Sequence, residues 1–425
     1  MKRSEFLTDI FYFAREKNIN LALARPLLTD MAQGDIDLVV SPHDVPFIDA
    51  FIAQTPTLKK TSRYIRADGE TVYVYGVENG AAHAINIDLI TSLAFKGIPY
   101  LDIKHVLQRA TPDEKGIKTL HDIDQALILL MTHGVKHKGA IKQRSLDEMR
   151  VVLKNNPVAF PQSLVQLFGT QAALDFMDRL TENEFDTNFW RRMADAFLTQ
   201  AWNWRGGMTI IDRIFYKLAR LYTLCSTPRV NVAVYGVDGA GKTTLINYLE
   251  KTLAVTATQL RRPHFLPSWP WQDEANSNKA LPNPHDKKLR DPFTSTLKLI
   301  YLLGRYWLAY LWPRNGTTLF IYDRSLPDMI VDPLRYRYGG SATALRWACR
   351  LAPPIKASIL VDVSVETAQS RKAEVTMVET KRQSESYRQL ISHLSNGIVL
   401  KGEMPIDRMT AIATAHIIQA MQDGR

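Results

Sequence analysis

The chain has almost no cysteine. Cys225 and Cys349 are the only two in 425 residues, which excludes a disulfide framework and a cysteine-rich zinc site and suits a reducing cytosol. A long apolar run is also missing. The most apolar window, 297–312, is interrupted by Lys298 and Arg305. It falls short of the roughly 20 residues that span a bilayer, so it reads as a buried or amphipathic helix and no membrane span is expected. Residues 1–13 carry Lys2, Arg3, Glu5 and Asp9 in place of a signal peptide's apolar stretch. No block of consecutive basic residues stands out, although the net charge is +10 and the pI near 9.4. A dispersed excess of this kind favours phosphorylated small substrates, with nucleic acid as the alternative partner. There is no internal repeat and no low-complexity tract.

The composition, 46% hydrophobic and 23% charged, is that of a globular protein, and the length predicts two or three domains. Three textures are visible. Residues 1–118 mix helical spacing (6–17) with short strand-like runs at 36–40, 71–75 and 84–89. The last two flank Glu78-Asn79-Gly80, which predicts an antiparallel hairpin. Residues 119–226 show helical spacing throughout, with helices expected at 122–133, 145–154, 160–168, 171–180, 188–200 and 208–224. Residues 229–425 alternate strand and helix. Their continuous apolar runs at 230–235, 318–322, 358–363 and 397–400 predict a parallel sheet with helices on both faces, an α/β fold. The Pro- and Asn-rich stretch 263–292 reads as a long loop.

The densest signal is Gly236-Val237-Asp238-Gly239-Ala240-Gly241-Lys242-Thr243, followed by Thr244. An apolar strand precedes it and a helical pattern follows, the context in which this spacing cradles phosphate. Glycines let backbone N–H groups turn inward, and the helix start adds partial positive charge. Lys242 would reach the outer phosphates of ATP and Thr243 would hold Mg²⁺. Further on, strand 318–322 ends in Asp323-Arg324-Ser325. There a carboxylate can hold the Mg²⁺ shell or accept a proton, and an arginine can clamp phosphate.

On these residues, 229–425 resembles the thymidylate kinase-like branch of P-loop kinases, including the acid at Asp238. Asp323-Arg324 matches that branch's Asp-Arg-aromatic motif, with Ser325 in the aromatic's place. The resemblance implies that Arg262, in Arg261-Arg262-Pro263, contacts the acceptor. It also implies a basic lid, with Arg371 first and Arg382 second, and an adenine grip near Lys401-Gly402. The patch Asp328, Asp332, Pro333, Arg335 and Tyr336 is similar to kinase-like proteins of bacterial surface-polysaccharide gene clusters.

Toward the N-terminus, Asp35 and Asp37 sit two apart on a strand and so share a face, and Asp88 lies on a later strand. This resembles minimal nucleotidyltransferase domains, in which such a trio holds Mg²⁺, although residues 22–26 replace that family's Gly-Ser loop. His133 and His137, four apart, read as a polar helix end. The sequence thus predicts a cytoplasmic phosphotransferase. It would use ATP and Mg²⁺ on a nucleotide or another phosphorylated or hydroxyl small-molecule acceptor. The alternatives are nucleotidyl transfer by the N-terminal acids, or a non-catalytic nucleotide-gated module.

Overall fold

The computed structural model describes residues 3–25, 36–78, 81–182, 184–227, 229–254, 256–263, 265, 288–312, 316–372 and 375–423. Asp35 and most of the 263–292 segment lie outside them. The chain divides into two compact units, residues 1–59 with 65–223, and 60–64 with 224–425.

In the first unit the strands are β1 (Leu21–Leu23), β2 (Ile36–Val40), β3 (Leu58–Arg66), β4 (Gly69–Glu78), β5 (Ala81–Ile90), β6 (Leu93–Phe95), β7 (Ile98–Leu101), β8 (Thr111–Pro112) and β9 (Lys118–Thr119). Seven of them form one mixed sheet, in the order β3-β4-β5-β2-β1-β9-β8. The expected hairpin is β4 antiparallel to β5, and β5 runs parallel to β2. Alternation along β1 and β2 separates two cores. Leu21, Leu23, Ile36, Leu38 and Val40 pack with Phe6, Ile10 and Phe51 from helices Arg3–Glu16 and Phe47–Gln54. Ala22, Ala24 and Val39 face the helical layer that follows.

That layer departs from the sequence pattern at one point. The spacing predicts a single helix over 122–133, but Asp122–Leu129 is α-helical and Leu130–Lys136 is a π-helix. Its wider turn closes from the His137 N–H to the Thr132 carbonyl at 3.1 Å. Gly134 explains what the segment accommodates. A Cβ there would stand 2.3 Å from the ring of Trp190, so the indole lies directly on the backbone. Trp190 is itself buried, with ring centroids 5.1 Å from Phe185 and 5.0 Å from Phe189.

The second unit contains β10 (Arg229–Tyr235), β11 (Gln259–Arg261), β12 (Thr318–Tyr322), β13 (Ile355–Asp362) and β14 (Gly397–Lys401). All pair in parallel, in the order β11-β12-β10-β13-β14, with helices on both faces. Val232, Val234, Leu319, Ile321 and Ile359 are fully buried, as expected for central strands covered on both sides. The first strand in sequence lies at the centre, so its carboxyl end opens beside that of β12, where ligands of such sheets bind. No helix among the described residues is long and apolar enough to cross a membrane.

Trp190→Ala should cost about 3–5 kcal/mol, the range for emptying a buried aromatic site. Urea denaturation followed by circular dichroism measures it. A loss under about 1 kcal/mol would show that the indole does not anchor the helical layer.

Candidate phosphate site

The glycine loop runs from the end of β10 into helix Lys242–Leu253. Gly236 and Gly239 adopt φ of 143° and 83°, where glycine is favoured. Space forbids a side chain as firmly. A Cβ at Gly236 would lie 2.6 Å from the Val361 carbonyl oxygen, and one at Gly239 would lie 2.5 Å from that of Ala368. The loop is therefore wedged against β13 and helix Val365–Arg371.

Lys242 is 6% exposed. Its Nζ donates to the carbonyls of Gly236 at 2.7 Å and Val237 at 2.9 Å and lies 3.9 Å from Asp238 Oδ1. Burial, followed by the nearby Arg324 charge, lowers its pKa from 10.5 to about 8. Asp238 bridges two arginines. Arg324 Nη2 donates to its Oδ1, and Arg335 Nη1 donates to its Oδ2 at 2.5 Å. Burial opposes the charge on Arg324, but neighbours that include Tyr336 and Asp238 hold its pKa above the ordinary value.

Asp328, visible in the sequence only as a member of the polar patch, is a buried post beside these groups. Asp328 is 1% exposed. Its Oδ2 accepts from the Ser325 N–H at 2.6 Å and its Oδ1 from the Tyr387 hydroxyl at 2.8 Å. Burial raises its pKa. Ser325 Oγ also lies 3.1 Å from the Tyr235 hydroxyl, so the serine in the aromatic's place joins a hydrogen-bonded network. Asp332 accepts from the Arg335 N–H at 3.1 Å and from Gln383 Nε2 at 3.3 Å. The Tyr336 ring lies 4.4 Å from that of Phe265, and its hydroxyl is buried with no hydrogen-bond partner among the described residues.

The basic candidates separate by their surroundings. Arg262 donates to Asn247 Oδ1 at 2.6 Å and lies 3.8 Å from Asp323. Arg371 is exposed, with Nη1 3.9 Å from where a Gly241 Cβ would stand, and no hydrogen bond or ion pair holds it among the described residues. Arg382 is tied to Glu379 and the Val331 carbonyl, and Arg388 to Asp362. Gly402 packs against the loop, where a Cβ would lie 3.3 Å from the Ala240 carbonyl oxygen. Thr243 is exposed at the helix start, and Asp323 ends the neighbouring strand with its carboxylate 3.8 Å from Arg262 and its N–H donating to the Pro263 carbonyl at 3.2 Å. Such an oxygen-only donor set fits a hard cation like Mg²⁺.

In the N-terminal unit Asp37 and Asp88 are register partners on adjacent parallel strands. Asp88 is already engaged, accepting from Arg66 Nη1 at 2.9 Å and from Thr71 Oγ1 at 2.6 Å. Among the described residues no three acids, histidines or cysteines are grouped to hold a metal, and Asp35, the third member of the expected trio, lies outside them. The ring centroids of His133 and His137 are 6.2 Å apart, and no third acid, histidine or cysteine joins them among the described residues.

No protein-family model matches the chain, and no curated protein matches it. Among solved structures it is similar to deoxyadenosine kinase from M. mycoides with products dCMP and a flexible dCDP bound. The identity is 17% and the TM-score 0.30, over 46% of this chain and 100% of that one. The same kinase with bound dCTP gives 16% identity and a TM-score of 0.29, over 45% and 100%. Likeness of this degree carries no conclusion about substrate.

Proposed function

We propose that the C-terminal unit transfers a phosphoryl group from ATP, with Mg²⁺, to a nucleotide or another phosphorylated or hydroxyl acceptor. The observation that carries this reading is the meeting of the glycine loop, Lys242, Asp323 and Arg324 at the adjoining carboxyl ends of β10 and β12. In the reaction the bond from the γ-phosphorus to the β,γ-bridging oxygen breaks and a bond to the acceptor oxygen forms. Phosphoryl transfer of this kind depends on positioning and charge neutralisation more than on covalent help. Gly236, Asp238, Gly239, Ala240, Gly241 and Thr244 shape the cradle for the phosphate chain. Lys242 turns from its own loop's carbonyls to the outer phosphates. Arg324 meets the transferring group, and Arg371 closes from the loop's open side. Arg262 meets the acceptor, together with the Tyr336 hydroxyl, which has no hydrogen-bond partner among the described residues. Where the acceptor is a hydroxyl, Asp323 takes its proton. Thr243 and Asp323 would hold Mg²⁺, which neutralises phosphate charge when bound. Because the sequence patch from Asp328 to Tyr336 resembles that of surface-polysaccharide cluster proteins, a sugar-linked acceptor belongs beside nucleotides in the first screen.

Two other readings remain distinct. Nucleotidyl transfer at Asp37 and Asp88 is favoured by their side-by-side register and opposed by the Arg66 clamp on Asp88. It would release pyrophosphate instead of ADP. A non-catalytic nucleotide-gated module would bind ATP and release neither. Screening nucleoside monophosphates, nucleosides and phosphorylated sugars for acceptor-dependent ADP or pyrophosphate release separates all three.

Lys242→Met should lower acceptor-dependent ADP release by about 100-fold or more, the scale for removing one charge-stabilising donor, while the protein stays folded. Turnover at the parent rate would overturn the proposal. Arg324→Lys should lose nearly as much as Arg324→Ala, because an ammonium cannot reproduce a planar two-point grip. Near-normal kcat/KM in the lysine variant would exclude the clamp.

Stability against pH gives a third test. The depressed pKa means the folded state releases the Lys242 proton near pH 8, while the unfolded chain keeps it to about 10.5. Folding therefore carries a full penalty below pH 8 that lifts as pH rises across that window. Lys242→Met should be more stable than the parent at pH 7, and the gap should narrow by pH 10. A gap independent of pH would show that the buried ammonium is not strained.

A further inference from the structure

Helix Met208–Ser226 presents the reverse of the usual surface pattern. A surface helix ordinarily turns its apolar stripe to the core and its polar side chains to water. Here Thr209 and Thr223 are buried. Asp212 and Tyr216 lie on the turn between β6 and β7, where a Cβ at Gly97 would stand 2.5 Å from the Asp212 carbonyl oxygen and 2.6 Å from the Tyr216 Cβ. The stripe that faces the fold is therefore mostly polar. Ile210, Ile214, Phe215, Leu218, Leu221 and Tyr222 stand outward, each 51–67% exposed. At 3.6 residues per turn they occupy an arc of about 140°. Single exposed hydrophobic side chains are ordinary, but a continuous face of them along one helix marks a surface that meets a partner.

The charged residues that remain outward are all cations. Arg213, Lys217 and Arg220 are exposed, and no hydrogen bond or ion pair holds their side chains among the described residues. On the helix surface they fill about 60° adjoining the Ile210 edge of the apolar arc. Asp212, the only acid of the helix, lies in the inward stripe and is held by Arg205 at 2.9 Å. A partner that satisfies both features offers hydrocarbon beneath a layer of negative charge, which describes the boundary of an anionic lipid bilayer. A second copy of the chain would cover the apolar arc, but through this same face it brings no acid to the three cations, and the net charge of +10 adds repulsion. A nucleic acid would meet the cations and leave the apolar arc in water.

We propose that helix Met208–Ser226 is an interfacial anchor for anionic membranes. Its apolar arc lies in the headgroup boundary, with the helix axis along the bilayer plane, and Arg213, Lys217 and Arg220 meet lipid phosphates at its edge. No described helix is long and apolar enough to cross a bilayer, so this one lies on its surface. The proposal does not depend on the phosphotransfer reading.

The full chain is sedimented with vesicles of phosphatidylcholine and, separately, of phosphatidylcholine and phosphatidylglycerol in equal parts. It should bind the anionic vesicles about tenfold or more tighter, and raised salt should weaken that binding. Ile214→Gln with Leu218→Gln should abolish vesicle binding. Arg213→Gln, Lys217→Gln and Arg220→Gln together should remove the preference for phosphatidylglycerol. All five side chains are exposed, so circular dichroism should not change. Lys242→Met should bind vesicles as the parent does, which separates the helix from the glycine loop. Equal binding to the two kinds of vesicle, parent-like binding in the folded Ile214→Gln, Leu218→Gln variant, or loss of binding in Lys242→Met would overturn the proposal. So would a lipid-free dimer in sedimentation velocity that the same paired variant dissociates, because a second copy would then be the occupant.

Discussion

The Asp238 carboxylate is the point on which the phosphate site depends. It sits in the glycine loop, yet its two oxygens hold Arg324 from the end of β12 and Arg335 from the segment after it. Without that carboxylate, Arg324 and Arg335 would lose the anion they share, with the Lys242 ammonium close by. Removing one partner from such a buried group is far more costly than the pair's net worth. The depressed pKa of Lys242 shows where the balance stands. Burial, followed by the Arg324 charge, outweighs the attraction of Asp238, Asp323 and Asp328 for the Lys242 ammonium. In the proposed reading a phosphate chain would join Asp238 among these cations and compete with it for the two arginines.

That balance requires a loop that does not move away. Its glycines answer to backbone packing as much as to conformational freedom, since the carbonyls of Val361 and Ala368 occupy the space where side chains would begin. The opposite wall is equally fixed. Asp328 secures the Ser325 N–H from within the fold, and Tyr387, on helix Met377–Ser392, secures Asp328. Arg324 therefore springs from a segment held at its next residue. A guanidinium that must meet both a carboxylate and a phosphate gains from such support, because positioning is most of what phosphoryl transfer asks of a protein.

The legibility of these features follows the range of the interactions that create them. The glycine loop is local, and its flanks were readable as a continuous apolar run for the strand and a helical spacing for the helix. Asp323-Arg324 was readable because a strand end beside such a loop has limited roles. Arg335 and Asp238 are 97 residues apart, and Tyr387 and Asp328 are 59 apart. No local pattern announces either contact, and the dense polar patch after Arg324 was visible only as composition. The π-helix was hidden for another reason. Its apolar spacing is close to that of an α-helix, and what accompanies the wider turn is Trp190 lying on Gly134, a tertiary contact. The short strands β1, β6, β7 and β11 escaped because three or four residues carry too little periodicity to register.

The excess of basic residues also acquires an address. As a sequence property, +10 says only that anions are favoured. Many cations in the fold are neutralised at once: Arg66 by Asp88, Lys136 by Asp68, Arg382 by Glu379 and Arg388 by Asp362. Pairs exposed to water contribute little to stability and confer no affinity for an incoming anion. Those that matter have no carboxylate of their own or share one. In the C-terminal unit they are Lys242, Arg324 and Arg335 around Asp238, with Arg371 beside the loop and unpaired among the described residues. A cation held without a counter-charge in a folded chain carries a cost that a bound anion relieves, which is the physical basis for the phosphate chain proposed at the glycine loop.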